Sequence, residues 1–142
     1  MEIHQSAVIL LLILSVSSFT HGQPADIMPR YKKFLNQHVD PYMTVNDCTS
    51  KIENRVITGT DSGCKPVNSF IVANADTIKA VCGKGGTAIG GNLFESNNPF
   101  FVVKCTIKNN SKGTPKCEYR GNGFTRKIVL ACQKGWPVHY ER

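Results

Sequence analysis

The chain has 142 residues, 17 Lys and Arg against 10 Asp and Glu, and a formal net charge of +7, which bounds it to one domain and favours a polyanionic partner such as nucleic acid, heparan-type sugar or anionic lipid. Its six cysteines include no Cys-x-x-Cys pair, which argues against a zinc knuckle or a dithiol redox motif.

Residues 7–19 form an apolar run followed by Thr20, His21 and Gly22. The run is shorter than the about 20 residues that span a bilayer, and small residues stand where a signal peptidase cuts. Residues 1–22 are therefore expected to be a secretory signal cleaved before Gln23, leaving residues 23–142 as the folded domain. No Lys or Arg precedes the apolar run, so the terminal amine would supply its positive end. Removing the segment takes away Glu2, its only charged side chain, and makes the domain more basic. It also removes His4 and His21, leaving His38 and His139 as the remaining histidines.

Tyr31, Phe34, Leu35 and His38 fall at i, i+3, i+4 and i+7, the spacing of one helix face, in a helix begun near Pro29 and stopped by Pro41. His38 thus belongs to a buried stripe near the helix end. A second helix is expected over residues 46–54 with Asn46 as its N-cap, and a third over residues 75–81. Gly59, Ser62 and Gly63 mark a loop between them. Strands are expected over residues 67–72, 100–107, 116–120, 127–132 and 137–140, with turns at 109–115 and at Lys134-Gly135. The stretch 83–91 is glycine-rich and lacks P-loop spacing, so it is expected to be a mobile loop and not a phosphate cradle. Helices first and strands later predict an α+β fold: three short helices in the N-terminal half packed on a bent antiparallel β-sheet. Six cysteines in a secreted domain argue for three disulfides, whose pairing the spacing leaves open.

His38 and His139 are the domain's only side chains whose ordinary pKa lies near neutrality. Cleavage of RNA at a 2′-hydroxyl needs a base for that proton and an acid for the 5′-oxygen, and two histidines can supply both. The phosphorane formed between these steps needs a fixed cation. Lys65, beside Cys64 and stiffened by Pro66, is a candidate.

Three segments carry these residues in order: Phe34-Leu35-Asn36-Gln37-His38-Val39-Asp40, Cys64-Lys65-Pro66-Val67-Asn68-Ser69-Phe70 and Pro137-Val138-His139-Tyr140. Together they resemble the signature segments of the pancreatic ribonuclease family. The six-cysteine count, without a short extra cysteine loop between Cys82 and Cys105, is similar to the angiogenin-like branch. The resemblance implies that His38 is the general base, His139 the general acid and Lys65 the transition-state stabiliser. It implies that Gln37 hydrogen-bonds a phosphate oxygen, that Asn68 is buried beside the site, that Ser69 and Tyr140 meet a pyrimidine, and that Lys33 contacts a neighbouring phosphate. It implies the pairs Cys48–Cys105, Cys64–Cys117 and Cys82–Cys132, cleavage through a 2′,3′-cyclic phosphate, and no metal or cofactor.

Departures from the family pattern set further expectations. Ser69 replaces a threonine, Gln133 a glutamate that contacts the downstream base, and Glu141 an aspartate that orients the acid. Its extra methylene is expected to misplace that carboxylate and moderate the activity. The chain ends at Arg142 without the longer tail of the angiogenin branch, so a more open pyrimidine site is expected. Glu53 interrupts the basic stretch from Lys51 to Arg55, which argues against nuclear import. Asn109-Asn110-Ser111 is a glycosylation sequon, and Trp136 is expected to pack and not to stack on a base. The expected partner of this monomer is single-stranded RNA. Heparan-type polyanions, anionic bacterial membranes and a ribonuclease inhibitor protein are further candidates, and a cationic antibacterial role or angiogenin-like signalling are the alternative functions.

Overall fold

The computed structural model describes residues 25–60, 63–109 and 116–142. The expected signal segment and the Asn110-Ser111 part of the sequon lie outside these residues. No described helix is long and apolar enough to cross a membrane.

Helix α1, Met28–His38, starts with a proline in its first turn and buries Tyr31, Phe34 and His38 on one face. It ends where Val39 turns extended and bridges Ile71. The second helix corrects the expected cap. Thr44 and Asp47 close a capping box around a 3-10 turn, Val45–Asp47, which places Asn46 inside that turn. Helix α2, Cys48–Asn54, therefore begins after Asp47. Helix α3, Ala75–Lys79, is capped by Asn74, whose side chain accepts from the Thr77 N–H at 2.8 Å. It tightens into a 3-10 turn, Ala80–Cys82, so the continuous helix expected to residue 81 ends at Lys79.

Seven strands lie among the described residues: β1 Val67–Ile71, β2 Gly86–Gly90, β3 Leu93–Ser96, β4 Phe100–Ile107, β5 Tyr119–Arg126, β6 Val129–Gln133 and β7 Trp136–Tyr140. They make two antiparallel sheets, ordered β1-β4-β5 and β2-β3-β6-β7. The glycine-rich stretch is thus no loop, because β2 pairs with β3 from Gly86 to Gly90. A Cβ at Gly86 would run into the Val81 carbonyl oxygen, so glycine is required there for close packing against the 3-10 turn. β5 likewise differs from expectation: it starts at Tyr119 and runs past residue 120 to Arg126. Gly121-Asn122-Gly123 pairs with β4, and a Cβ at Gly121 would strike the Val45 carbonyl, so glycine lets the 3-10 turn approach the strand. The β6–β7 hairpin turns on Lys134 and Gly135, both at positive φ, as a two-residue connection requires.

One apolar cluster joins Phe34 of α1 to Ile71, Val102 and Leu130, and a second joins Ile52 of α2 to Phe70, Val103 and Tyr119. Ile71 and Val102 point to one face of the β1-β4-β5 sheet and Phe70 and Val103 to the other, so α1 and α2 pack against opposite faces of it. The three disulfides are Cys48–Cys105, Cys64–Cys117 and Cys82–Cys132, the pairs that the resemblance implies. They span 57, 53 and 50 residues, so each restricts the unfolded chain by about 4 kcal/mol on a loop-entropy estimate.

Candidate active site

β1 is an edge strand of its sheet. Pro66 and Val72 bond toward β4 and the long hairpin, whereas the Ile71 carbonyl accepts from Asp40 on the opposite side. Strand alternation turns the Ser69 backbone to that same free edge, because the N–H and C=O of one strand residue point the same way. The Ser69 carbonyl oxygen there meets His38 Nδ1 at 2.8 Å. A carbonyl only accepts, so Nδ1 carries the proton and Nε2 keeps its lone pair. The Ser69 N–H points to the same side.

His38 is 9% exposed. Its ring lies between Phe34, 5.6 Å away between centroids, and Tyr140, stacked at 5.4 Å. Burial lowers its pKa to about 4; the Ser69 hydrogen bond opposes the shift, and the charges of Lys65 and His139 add to it. At neutral pH this imidazole is therefore uncharged and able to accept a proton.

Lys65 precedes β1 and donates from Nζ to Asn68 Oδ1 at 2.7 Å and to Gln37 Oε1 at 3.4 Å. Asn68, 2% exposed, donates in turn from Nδ2 to the Gln37 carbonyl at 2.8 Å. The amide thus locks the lysine to the last turn of α1. Burial, and then the charge of Lys33, lowers the Lys65 pKa. Burial likewise raises the Tyr140 phenol, against a hydrogen bond to the Ser69 side chain and the charge of Arg126.

His139 sits on β7 where the register slips. Ala131 faces His139 while Cys132 faces Pro137, so Val138 is the extra residue of a bulge, a device that re-aims neighbouring side chains. His139 is well exposed, and its Nε2 lies 3.2 Å from Glu141 Oε2. The extra methylene of Glu141 therefore does not keep its carboxylate from His139, contrary to the sequence expectation.

A cleft of about 430 Å³ is lined by Gln37, His38, Lys65, Asn68, Ser69, His139 and Tyr140, seven of the eight candidate residues. Lys33 is exposed and does not line it. Gln133 is held outside by Arg30, whose Nη1 donates to Oε1 at 2.7 Å. Trp136 packs edge-on against Tyr31 at 4.8 Å, with the Lys79 ammonium over its ring. The cleft also includes Lys104 and Phe124, which the sequence does not place at the site. Lys104 stands opposite Ser69 in the β1–β4 register, and Phe124 opposite Val102. Only the register brings them to the site; alternation along one strand gives a face without its neighbour. Among the described residues, no group of three His, Cys, Asp or Glu side chains gathers to hold a metal.

A small three-disulfide α+β domain, with two imidazoles and a lysine on one open cationic cleft, defines a class: the acid–base nucleases. The pancreatic ribonuclease family model matches residues 29–141. The chain belongs to the pancreatic ribonuclease family and is an endoribonuclease of the pancreatic type. It is similar to Ribonuclease-like 3 of Danio rerio, 44% identical over all of this chain and 97% of that protein. It also resembles Angiogenin-4 of Mus musculus, 43% identical over 79% of this chain and 77% of that one. The X-ray structure of zebrafish RNase5 superimposes with a TM-score of 0.78 at 50% identity, covering 84% of this chain and 98% of the other.

Proposed function

We propose that the protein is secreted after loss of residues 1–22 and cleaves single-stranded RNA 3′ of pyrimidines in two steps. In the first, Nε2 of His38 takes the 2′-hydroxyl proton and the freed oxygen attacks phosphorus. The bond to the 5′-oxygen breaks as His139 delivers a proton to that leaving group. Lys65 and Gln37 face the charge that builds on the non-bridging oxygens. The products are a 2′,3′-cyclic phosphate and a 5′-hydroxyl. Water then opens the cyclic ester, with the two histidines in exchanged roles. Ser69 reads the pyrimidine: its N–H donates to a ring carbonyl, and its hydroxyl gives or takes a hydrogen bond at the next position. Tyr140 packs against the base, and Lys33 attracts a neighbouring phosphate from the rim.

The observation that carries this reading is the His38 Nδ1–H held on the Ser69 carbonyl at 2.8 Å, in the cleft that also contains Lys65 and His139. It is tested with a single-stranded RNA containing one pyrimidine step, in chelator, followed by product analysis. Wild type is expected to yield the cyclic phosphate first, and His139→Ala to cut at least a hundredfold more slowly. Equal rates for the two proteins would remove His139 from the mechanism.

A second reading is favoured by the formal charge of +7, which suits anionic bacterial membranes and heparan-type polyanions as partners. In it the protein kills bacteria as a cation, independently of catalysis. Killing by His38→Ala is then expected to equal that of wild type and to vanish in high salt; killing lost with the histidine assigns the effect to RNA cleavage. The resemblance to angiogenins supports neither a receptor nor nuclear entry by itself, and Lys51 and Arg55 are both engaged by Asp40. A ribonuclease inhibitor protein is a further candidate partner on the family resemblance alone.

A further inference from the structure

Arg55, which follows α2, touches the chain on both sides of the candidate base. Its Nη1 donates to the Asn36 carbonyl at 3.0 Å and to the Val39 carbonyl at 2.8 Å. These are among the terminal carbonyls of α1 that have no partner within the helix. Its Nη2 donates to Asp40 Oδ2 at 2.9 Å, and that side chain is 3% exposed. Asn36 returns a bond from Nδ2 to the Arg55 carbonyl at 3.0 Å. The guanidinium also lies 5.5 Å above the ring of Phe70, the residue after Ser69. Asp40 continues the connection through its backbone N–H, which donates to Ile71 of β1. One side chain thus ties the end of the helix that carries His38 to the strand that carries its carbonyl partner.

We propose that Arg55 is a positioning residue for the general base, fixing the last turn of α1 against β1 so that His38 stays on the Ser69 carbonyl. This rests on the reading of His38 as the base. The rigid, planar fork of an arginine can serve three acceptors at once, and a lysine ammonium on a flexible stem does not reproduce that geometry. Lys51 provides the contrast. Its Nζ reaches the same Asp40 oxygen at 3.1 Å but makes no bond to α1. The charged and titratable groups facing His38 are Lys65 from the segment before β1 and His139 and Tyr140 from β7. Arg55 bonds none of them, so its effect on His38 is transmitted by geometry.

The test compares Arg55→Lys, Arg55→Ala and Lys51→Gln with wild type, at a temperature where circular dichroism finds each variant folded. Two measurements are made: steady-state kinetics, giving kcat and KM on a pyrimidine–adenine dinucleotide, and the titration of the His38 imidazole by NMR without substrate. Arg55→Lys is expected to lower kcat roughly tenfold with KM within about twofold. The His38 titration should move up toward the ordinary histidine range as water reaches the ring. Lys51→Gln is expected to leave both at wild-type values. A wild-type kcat and titration in Arg55→Lys overturn the proposal, and so does an equal effect from Lys51→Gln, which would reduce Arg55 to a charge partner of Asp40. If Arg55→Ala does not fold, Arg55→Lys decides alone. The NMR titration does not depend on catalysis, so it still reads positioning if His38→Ala leaves cleavage intact and the base assignment itself fails.

Discussion

His38→Ala is expected to lower kcat/KM on a pyrimidine–adenine dinucleotide by about 10²–10⁴-fold, the range that general acid–base groups contribute. On the proposed mechanism the loss falls on kcat, because His38 would act on the reacting hydroxyl and not on the nucleobase. The pH profile adds a second, independent check. The base acts only when unprotonated, and burial holds its pKa at about 4. The acid limb of kcat/KM in wild type is therefore expected well below the ordinary histidine pKa of about 6.5, with full base activity above it. The depressed pKa also makes the base intrinsically weaker, so the rate depends more on Lys65 and on the alignment of His38 than on proton affinity. A loss under tenfold in His38→Ala, or an acid limb near 6.5 in wild type, contradicts this account.

The parts legible in the sequence share a physical cause: a local pattern that tertiary contacts do not override. Residues 100–107 are mostly β-branched and aromatic, and β4 has the same bounds. Tyr31, Phe34 and His38 lie on one helical stripe, and all three are buried on α1. In β2, expected as a loop, and in β5, expected to end at residue 120, glycine serves close approach and not a turn. Gly86 packs under Val81 and Gly121 under Val45, so the residues that look like loop are the ones that let two backbones touch. At the site, the residues within each motif were legible because they are contiguous. Lys104 and Phe124 were not, because their proximity to Ser69 comes from a β1-β4-β5 register that no single segment encodes. The role of Arg55 was hidden for the same reason, since its partners Asn36, Val39 and Asp40 lie on a different helix and its flank. Glu141 illustrates the converse error. Counting methylenes predicted a misplaced carboxylate, yet Glu141 Oε2 lies 3.2 Å from His139 Nε2 because the two residues alternate to one side past the β7 bulge.

The same burial that lowers the His38 pKa should make the fold acid-sensitive. The folded state holds His38 near pKa 4, whereas the unfolded chain titrates it near 6.5. Above pH 6.5 neither state binds the proton, and the fold keeps its full stability from the neutral ring. Between 6.5 and 4 the unfolded chain binds it and the folded chain does not, so stability falls as pH falls and the loss is complete near pH 4. The difference in pKa corresponds to about 3 kcal/mol by linkage, a large share of the 5–15 kcal/mol typical of a domain. His38→Gln keeps a donor for the Ser69 carbonyl without a titrating ring. Urea unfolding of both proteins at pH 6.5 and pH 4 isolates the effect, because carboxylate titration is common to the two and cancels. Wild type should lose about 3 kcal/mol more than His38→Gln across that interval. Parallel losses in the two proteins would mean that His38 is solvated enough to take up its proton in the folded state, and that its base function draws on a pKa near that of free histidine.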